Sequence, residues 1–157
     1  METVYIVLVA AFAAYIATVG ILYRIPASIS ESFYHPKIGH LFTLWCVSTG
    51  IGACVLMAEL SGGQWYQFLC LFAGGGLLTV GVAPRFKTHD RTVHYAGAGT
   101  CALAAVAWMC AAGYGYIPIP LVATIGGLAY LLDRRKLVFW VELALFVSMF
   151  ITLFLMI

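Results

Sequence analysis

From Val4 to Ile157 the chain is a succession of apolar runs, each close to 20 residues long and set apart by short breaks. About 20 apolar residues cross the hydrocarbon core of a bilayer. In that solvent a backbone group without a partner is expensive, so each run must close its hydrogen bonds within itself, as a helix. Six runs stand out, at roughly 4–23, 41–60, 65–83, 95–114, 117–132 and 137–157. The predicted fold is all-α: residues 1–157 form a single integral membrane domain, a six-transmembrane-helix bundle with short connections. A mean hydropathy of +1.02 and a charged content of 9% leave no room for a soluble domain or a nucleic-acid module. The opening "METVYIVLVAAFAAYIATVGILY" has no basic residue before its apolar stretch, which is long for a signal peptide, so it reads as a retained first helix. The run at 117–132 is the shortest. Pro118 and Pro120 suit its first turn, where a missing N–H costs little. A five-span alternative makes it re-entrant.

Charge orients the bundle. All eight basic residues sit in three connections: Arg24 and Lys37; Arg85, Lys87 and Arg91; Arg134, Arg135 and Lys136. With six spans these connections share one side, and the other side carries only Glu2 and Glu59. The positive-inside rule then places both termini outside and the connections 24–40, 84–94 and 133–136 in the cytoplasm. Five spans would put the last basic cluster outside. Tyr23, Phe33, Tyr34, Phe86, Tyr95, Phe139 and Trp140 fall near the inner interface, and Trp65, Tyr66, Tyr114 and Tyr116 near the outer one, as aromatic belts do. Small residues recur every fourth position at Gly50, Cys54 and Ala58 and at Gly97, Cys101 and Ala105. The third run carries Ala73–Gly76 and the fifth Gly126–Gly127. Such faces let helices approach closely within one bundle, or pair copies into a homo-oligomer. The five cysteines lie inside apolar runs and read as packing thiols.

Polar residues concentrate on the basic side. His35, His40, His89 and His94 all lie in the first and third connections or at the start of the next span. Glu31 precedes His35 by four residues, and Asp90 precedes His94 by four, so on a helix each pair shares a face. Glu142 enters the last span about 8 Å deep, at the helical rise per residue. An intramembrane carboxylate is costly and calls for a partner, for which His40, His94 and Arg91 are the candidates. Carboxylate beside imidazole suits metal binding or acid–base chemistry. The expected metal set is His35, His40, His94, Asp90, Glu31 and Glu142, with zinc the first choice, iron or manganese the alternatives. The catalytic candidates are Asp90, His94, Glu31 and Ser28. Ser30 and Thr88 lie near them, but no GxSxG element is present. Arg85, Lys87 and Arg91 are placed to attract anionic lipid headgroups. Structural roles compete with these. "SISE" is a capping box in which Ser28 and Glu31 close the start of a short helix. That helix is expected to lie along the interface, with Ile29, Phe33 and Tyr34 in lipid, until Pro36 ends it. Asp90 can serve as the N-cap of the fourth span.

The segments "IPASISESFY" and "APRFKTHDRTVHYAGA" resemble small, uncharacterised bacterial and phage membrane proteins. Ser28–Ser30, Phe33–Tyr34, Ala83–Pro84, Phe86, His94–Tyr95 and Ala98 carry the resemblance, which covers nearly the whole chain and implies a bacterial inner-membrane location. Gly81, Pro84 and His94 are similar to short elements of six-helix autophagy-modulator-like membrane proteins. A looser likeness is to ceramidase-type membrane zinc hydrolases, whose seven spans and terminal HxxxH this chain lacks. Two functions follow from the residues. One is a cytoplasmic-face site for a metal ion or a lipid headgroup, with hydrolysis by a metal-activated water if it is catalytic. The other is a non-enzymatic membrane module, a channel, transporter or partner subunit, in which the polar residues cap and anchor helices.

Overall fold

A computed structural model describes residues 1–34, 39–84 and 90–157. The described residues are mostly helical, with turns between the helices and no strands. Six α-helices follow in order: α1 (Glu2–Tyr23), α2 (Gly39–Ser61), α3 (Leu69–Val82), α4 (Asp90–Ala111), α5 (Pro118–Leu132) and α6 (Leu137–Met156). Five are long and apolar enough to cross a membrane, α3 together with the 3-10 turn Trp65–Phe68 that leads into it. The sixth, α5, has 15 residues, or about 22 Å at the helical rise, against a hydrocarbon core of about 30 Å. The fourth helix starts five residues earlier than its apolar run, so Asp90, Arg91 and His94 are all helical. The third starts later, because Trp65–Phe68 is a separate turn.

Helices α1 to α4 run antiparallel in succession. Leu8 on α1 lies under Gly52 on α2, Gly81 near the end of α3 meets Cys46 near the start of α2, and Gly97 on α4 meets Thr79 on α3. Helix α3 is sandwiched between α2 and α4 and packs on them more extensively than any other pair of elements does. The physical reason is the absence of side chains. A Cβ on Gly74 would stand 2.6 Å from the Gly50 carbonyl oxygen, and one on Gly76 would stand 2.5 Å from the Cys101 amide nitrogen. Backbone thus lies on backbone at both faces of α3, as the small-residue spacing predicts. Helix α6 closes the bundle against α1, α2 and α4, while α5 packs chiefly on α6 from outside. Large aromatics fill the space between α1, α2 and α6: Phe12 meets Phe150 at 5.3 Å and Phe146 at 5.0 Å, centroid to centroid. Tyr15 stacks flat on Trp45 at 4.6 Å. Of the five cysteines, which are all free, Cys46 and Cys70 are buried and Cys110 is exposed.

The connections are short and internally bonded. Arg24 ends α1 with φ 64 and ψ −144, a backbone state that costs a non-glycine residue about 1–3 kcal/mol. The turn Arg134–Lys136 is closed by Asp133, whose carboxylate accepts the Arg135 N–H at 3.2 Å and pairs with Lys136 Nζ at 3.2 Å. The Lys136 hydrogen bond holds the Asp133 carboxyl below the usual carboxylate range. The interfacial helix expected after the first span is instead a 3-10 turn, Ser30–Tyr34. Ile29, expected in lipid, is buried to 2% exposure, and Phe33 packs edge-on against Phe42. The segment turns inward because its backbone finds partners on α6, as described below. Pro36 and the Tyr34 side chain lie outside the described residues.

Adding one methyl group tests the glycine contacts. Gly76→Ala forces the α3 and α4 backbones apart and should cost about 1–3 kcal/mol, as overpacking does. Gly75→Ala, with nothing within 4 Å of its added carbon, should be neutral or slightly stabilising. Thermal unfolding of the detergent-solubilised protein is the measurement. Equal midpoints for the two variants would contradict the packing.

Candidate functional site: a polar-ended cavity under the first connection

The first connection is strapped onto the start of α6 by two long-range hydrogen bonds. The Phe139 N–H, one of the free donors of the first helical turn, donates to the Ala27 carbonyl at 3.0 Å. The Ile29 N–H donates to Glu142 Oε2 at 2.7 Å. Helix starts leave such donors unpaired unless something caps them. Here backbone from 112 residues upstream does so, and Glu142 returns the bond one turn deeper. The strap is closed on itself as well. Glu31 Oε2 accepts the Ala27 N–H at 2.6 Å, and Ser28 Oγ accepts the Glu31 N–H at 3.0 Å. The Ser28 half of the predicted capping box is present, while the Glu31 carboxylate reaches past Ser28 to the N–H of the residue before it. Ser32 is fully buried and donates to the Ile29 carbonyl at 2.5 Å. With that proton committed, the Tyr15 hydroxyl is the donor in its own hydrogen bond to Ser32 Oγ.

Beneath the strap lies a partly open cavity of about 110 Å³, between α2, α3, α4 and α6. It occupies the end of the bundle where α2, α4 and α6 begin. Its walls are mostly apolar: Phe42, Trp45, Leu77, Val80, Phe146 and Met149 among others. Its polar lining is His94 from α4, Glu142 from α6 and Ser30 from the strap. His94 is half-buried and stands edge-on to Tyr95. The Trp45 indole N–H is buried without a hydrogen-bond partner among the described residues, as is the Thr49 hydroxyl. Most buried polar groups are paired, so each such orphan is an unmet demand.

The sequence-predicted residues divide around this cavity. His94 and Glu142 line it together. Glu142 takes its hydrogen bond from the Ile29 backbone and not from His40, His94 or Arg91. Glu31 is exposed and Ser28 half-buried; both are engaged in the strap's own hydrogen bonds, and neither lines the cavity. His40 and Arg91 are exposed, and the Asp90 carboxylate accepts the Arg91 N–H at 2.6 Å. His35, Arg85 and Lys87, with Lys37, Thr88 and His89, lie outside the described residues. Among the described residues no three His, Cys, Asp or Glu side chains gather as a metal site requires. His94 and Glu142 make two ligands, where a zinc site takes three or four from protein.

Sequence reasoning missed the Ile29 N–H and the aromatic wall. A backbone donor leaves no trace in residue type. The wall does leave one: Phe42, Trp45 and Cys46 recur at helical spacing on α2, and Glu142, Phe146 and Met149 on α6. Comparisons with protein-family models, with curated proteins and with solved structures found no match to this chain.

Glu142→Leu leaves the Ile29 N–H without its acceptor and should destabilise the protein by about 1–3 kcal/mol. Glu142→Gln keeps an acceptor in place and should cost less. Hydrogen exchange at Ile29 reads the bond directly. It should accelerate in the leucine variant and stay slow in the glutamine one; slow exchange in both would remove Glu142 from the strap.

Proposed function

We propose that this is a six-span protein of a bacterial inner membrane that holds a membrane amphiphile by its headgroup at the cytoplasmic end. The observation carrying this reading is the cavity: His94 and Glu142, from two helices far apart in sequence, line one mostly apolar space. An apolar pocket with a few convergent polar groups suits a headgroup, with the chain of the amphiphile left outside it. Intramembrane ionisable residues facing a bundle interior are functional more often than not. Arg91, exposed in the first turn of α4, and its sequence neighbours Arg85 and Lys87 would draw anionic groups to the same end, each worth about 1 kcal/mol near an anionic surface. Binding is favoured over hydrolysis because, among the described residues, neither His94 nor Glu142 is hydrogen-bonded to a nucleophile and no third metal ligand joins them.

In this reading α5 is the sixth crossing. Its shortfall of several ångströms is met by local thinning of the bilayer or by the turns at its ends. Both termini are then outside, and the basic connections face the cytoplasm.

Two measurements test the proposal. With the native cysteines replaced, a single cysteine at Glu59 should react with a membrane-impermeant maleimide in intact cells, as should one at Ile157, while one at Arg135 should react only after lysis. Labelling of positions 59 and 157 from opposite sides would mean five crossings. Native mass spectrometry should find lipid retained by the wild-type protein and lost from the His94→Ala, Glu142→Gln double variant, with Gly75→Ala unaffected. Equal retention in all three would place the lipid elsewhere.

A further inference from the structure

We propose that the cavity receives an alkylammonium group, enclosed by the rings of Phe42, Trp45 and Phe146 and neutralised by the Glu142 carboxylate. This rests on the headgroup reading above and names the part of the headgroup that enters.

Charge is the first ground. Glu142 is the acidic residue of the cavity, and no Lys or Arg among the described residues lines it. One carboxylate oxygen takes the Ile29 N–H, and no hydrogen bond from the described residues reaches the other. A carboxyl group in apolar surroundings either keeps its proton or pairs with a cation, and once ionised it would repel a bound phosphate or carboxylate. Arg91 is exposed and does not line the cavity, so Glu142 sets the charge that the described lining offers a ligand.

The aromatic wall is the second. Trp45 stands 5.4 Å from Phe146 and 6.2 Å from Phe42, centroid to centroid, at interplanar angles of 57° and 47°. Three rings tilted against one another make a corner and not a stack. Tyr15, lying flat on Trp45 at 4.6 Å, fixes the indole in position. Ring faces attract ammonium groups lying within about 6 Å of their centres, and aromatic corners are how proteins bind alkylated ammonium.

Size is the third. About 110 Å³ is less than the roughly 150 Å³ of a buried cavity that takes up benzene. An ethanolammonium or trimethylammonium head fits such a space; a lipid chain does not. The chain would leave through the open side. His94 offers an imidazole nitrogen to any N–H the head carries, and Ser30 offers a hydroxyl.

The same ammonium chemistry could come from a zwitterionic lipid or from a soluble amine, and the experiment separates them. Choline and its uncharged carbon isostere neohexanol are titrated calorimetrically into the detergent-solubilised protein. In parallel, native mass spectrometry counts lipid retained from nanodiscs of phosphatidylcholine or of phosphatidylglycerol. Choline should bind about tenfold more tightly than neohexanol, a ratio typical of a desolvated cation–ring contact. Glu142→Gln, which keeps an acceptor for Ile29, should abolish that ratio. Phosphatidylcholine retained over phosphatidylglycerol identifies a lipid source, and choline binding without lipid preference identifies a soluble amine. Equal binding of choline and neohexanol with phosphatidylglycerol retained as well as phosphatidylcholine would overturn the ammonium proposal and leave a headgroup cavity standing. Failure to retain any lipid or to bind either probe would overturn both.

Discussion

The hydrogen bond from the Ile29 N–H to Glu142 joins residues 113 positions apart and holds together three features that would otherwise be separate. It gives a carboxylate within the apolar bundle a partner. It draws the first connection down onto the start of α6, where the Ala27 carbonyl caps the Phe139 N–H. It also carries the Ile29 side chain into the core and sets Ser30 at the cavity rim. In water this bond would be worth little net, because both groups would exchange it for solvent. In an apolar surround the unbonded alternative is far costlier, and the bond becomes a requirement of the fold.

Packing on either side of α3 explains where the cavity lies. At its middle, α3 meets α2 and α4 through Gly74 and Gly76, with backbone against backbone and no space left. Towards its end the facing residues are Leu77 and Val80, and α2 and α6 present Phe42, Trp45 and Phe146. Side chains of that bulk hold the helices apart, and Ala98, Cys101 and Ala105 on α4 are too small to fill the gap. Close approach in one layer and bulky rings in the next leave a void between them. It opens at the end where the first connection and the N-terminal turns of α2, α4 and α6 lie. Each of those turns has N–H groups directed towards that end, and the strap satisfies one of them.

The polar residues that look alike in the sequence have different fates for local reasons. Glu31 lies three residues after Ser28 and is consumed by local hydrogen bonds, its N–H on Ser28 as residue order predicts and its carboxylate on the Ala27 N–H. Asp90 bonds the N–H of its own neighbour, again locally. Glu142 has no polar neighbour within its own helical turn, so its partner had to be distant. The Asp90–His94 spacing suggested a joint site, yet only His94, one turn further into the helix, reaches the cavity.

Helicity, the number and near-limits of the apolar helices, the small-residue packing faces and the Ser28 cap follow from residue order. Each depends on neighbours within a few positions or on the solvent preference of a 20-residue run. The gathering of all eight basic residues into three connections is equally local and is a property of composition by segment. Tertiary structure alone decided that Ile29 turns inward, that its N–H and not a histidine meets Glu142, and that His94 shares a cavity with Glu142 and three aromatic rings. Those outcomes depend on the rotation of α2, α4 and α6 about their own axes. The rotations are set jointly by glycine contacts, ring volumes and one backbone hydrogen bond, none of which is encoded at a single position.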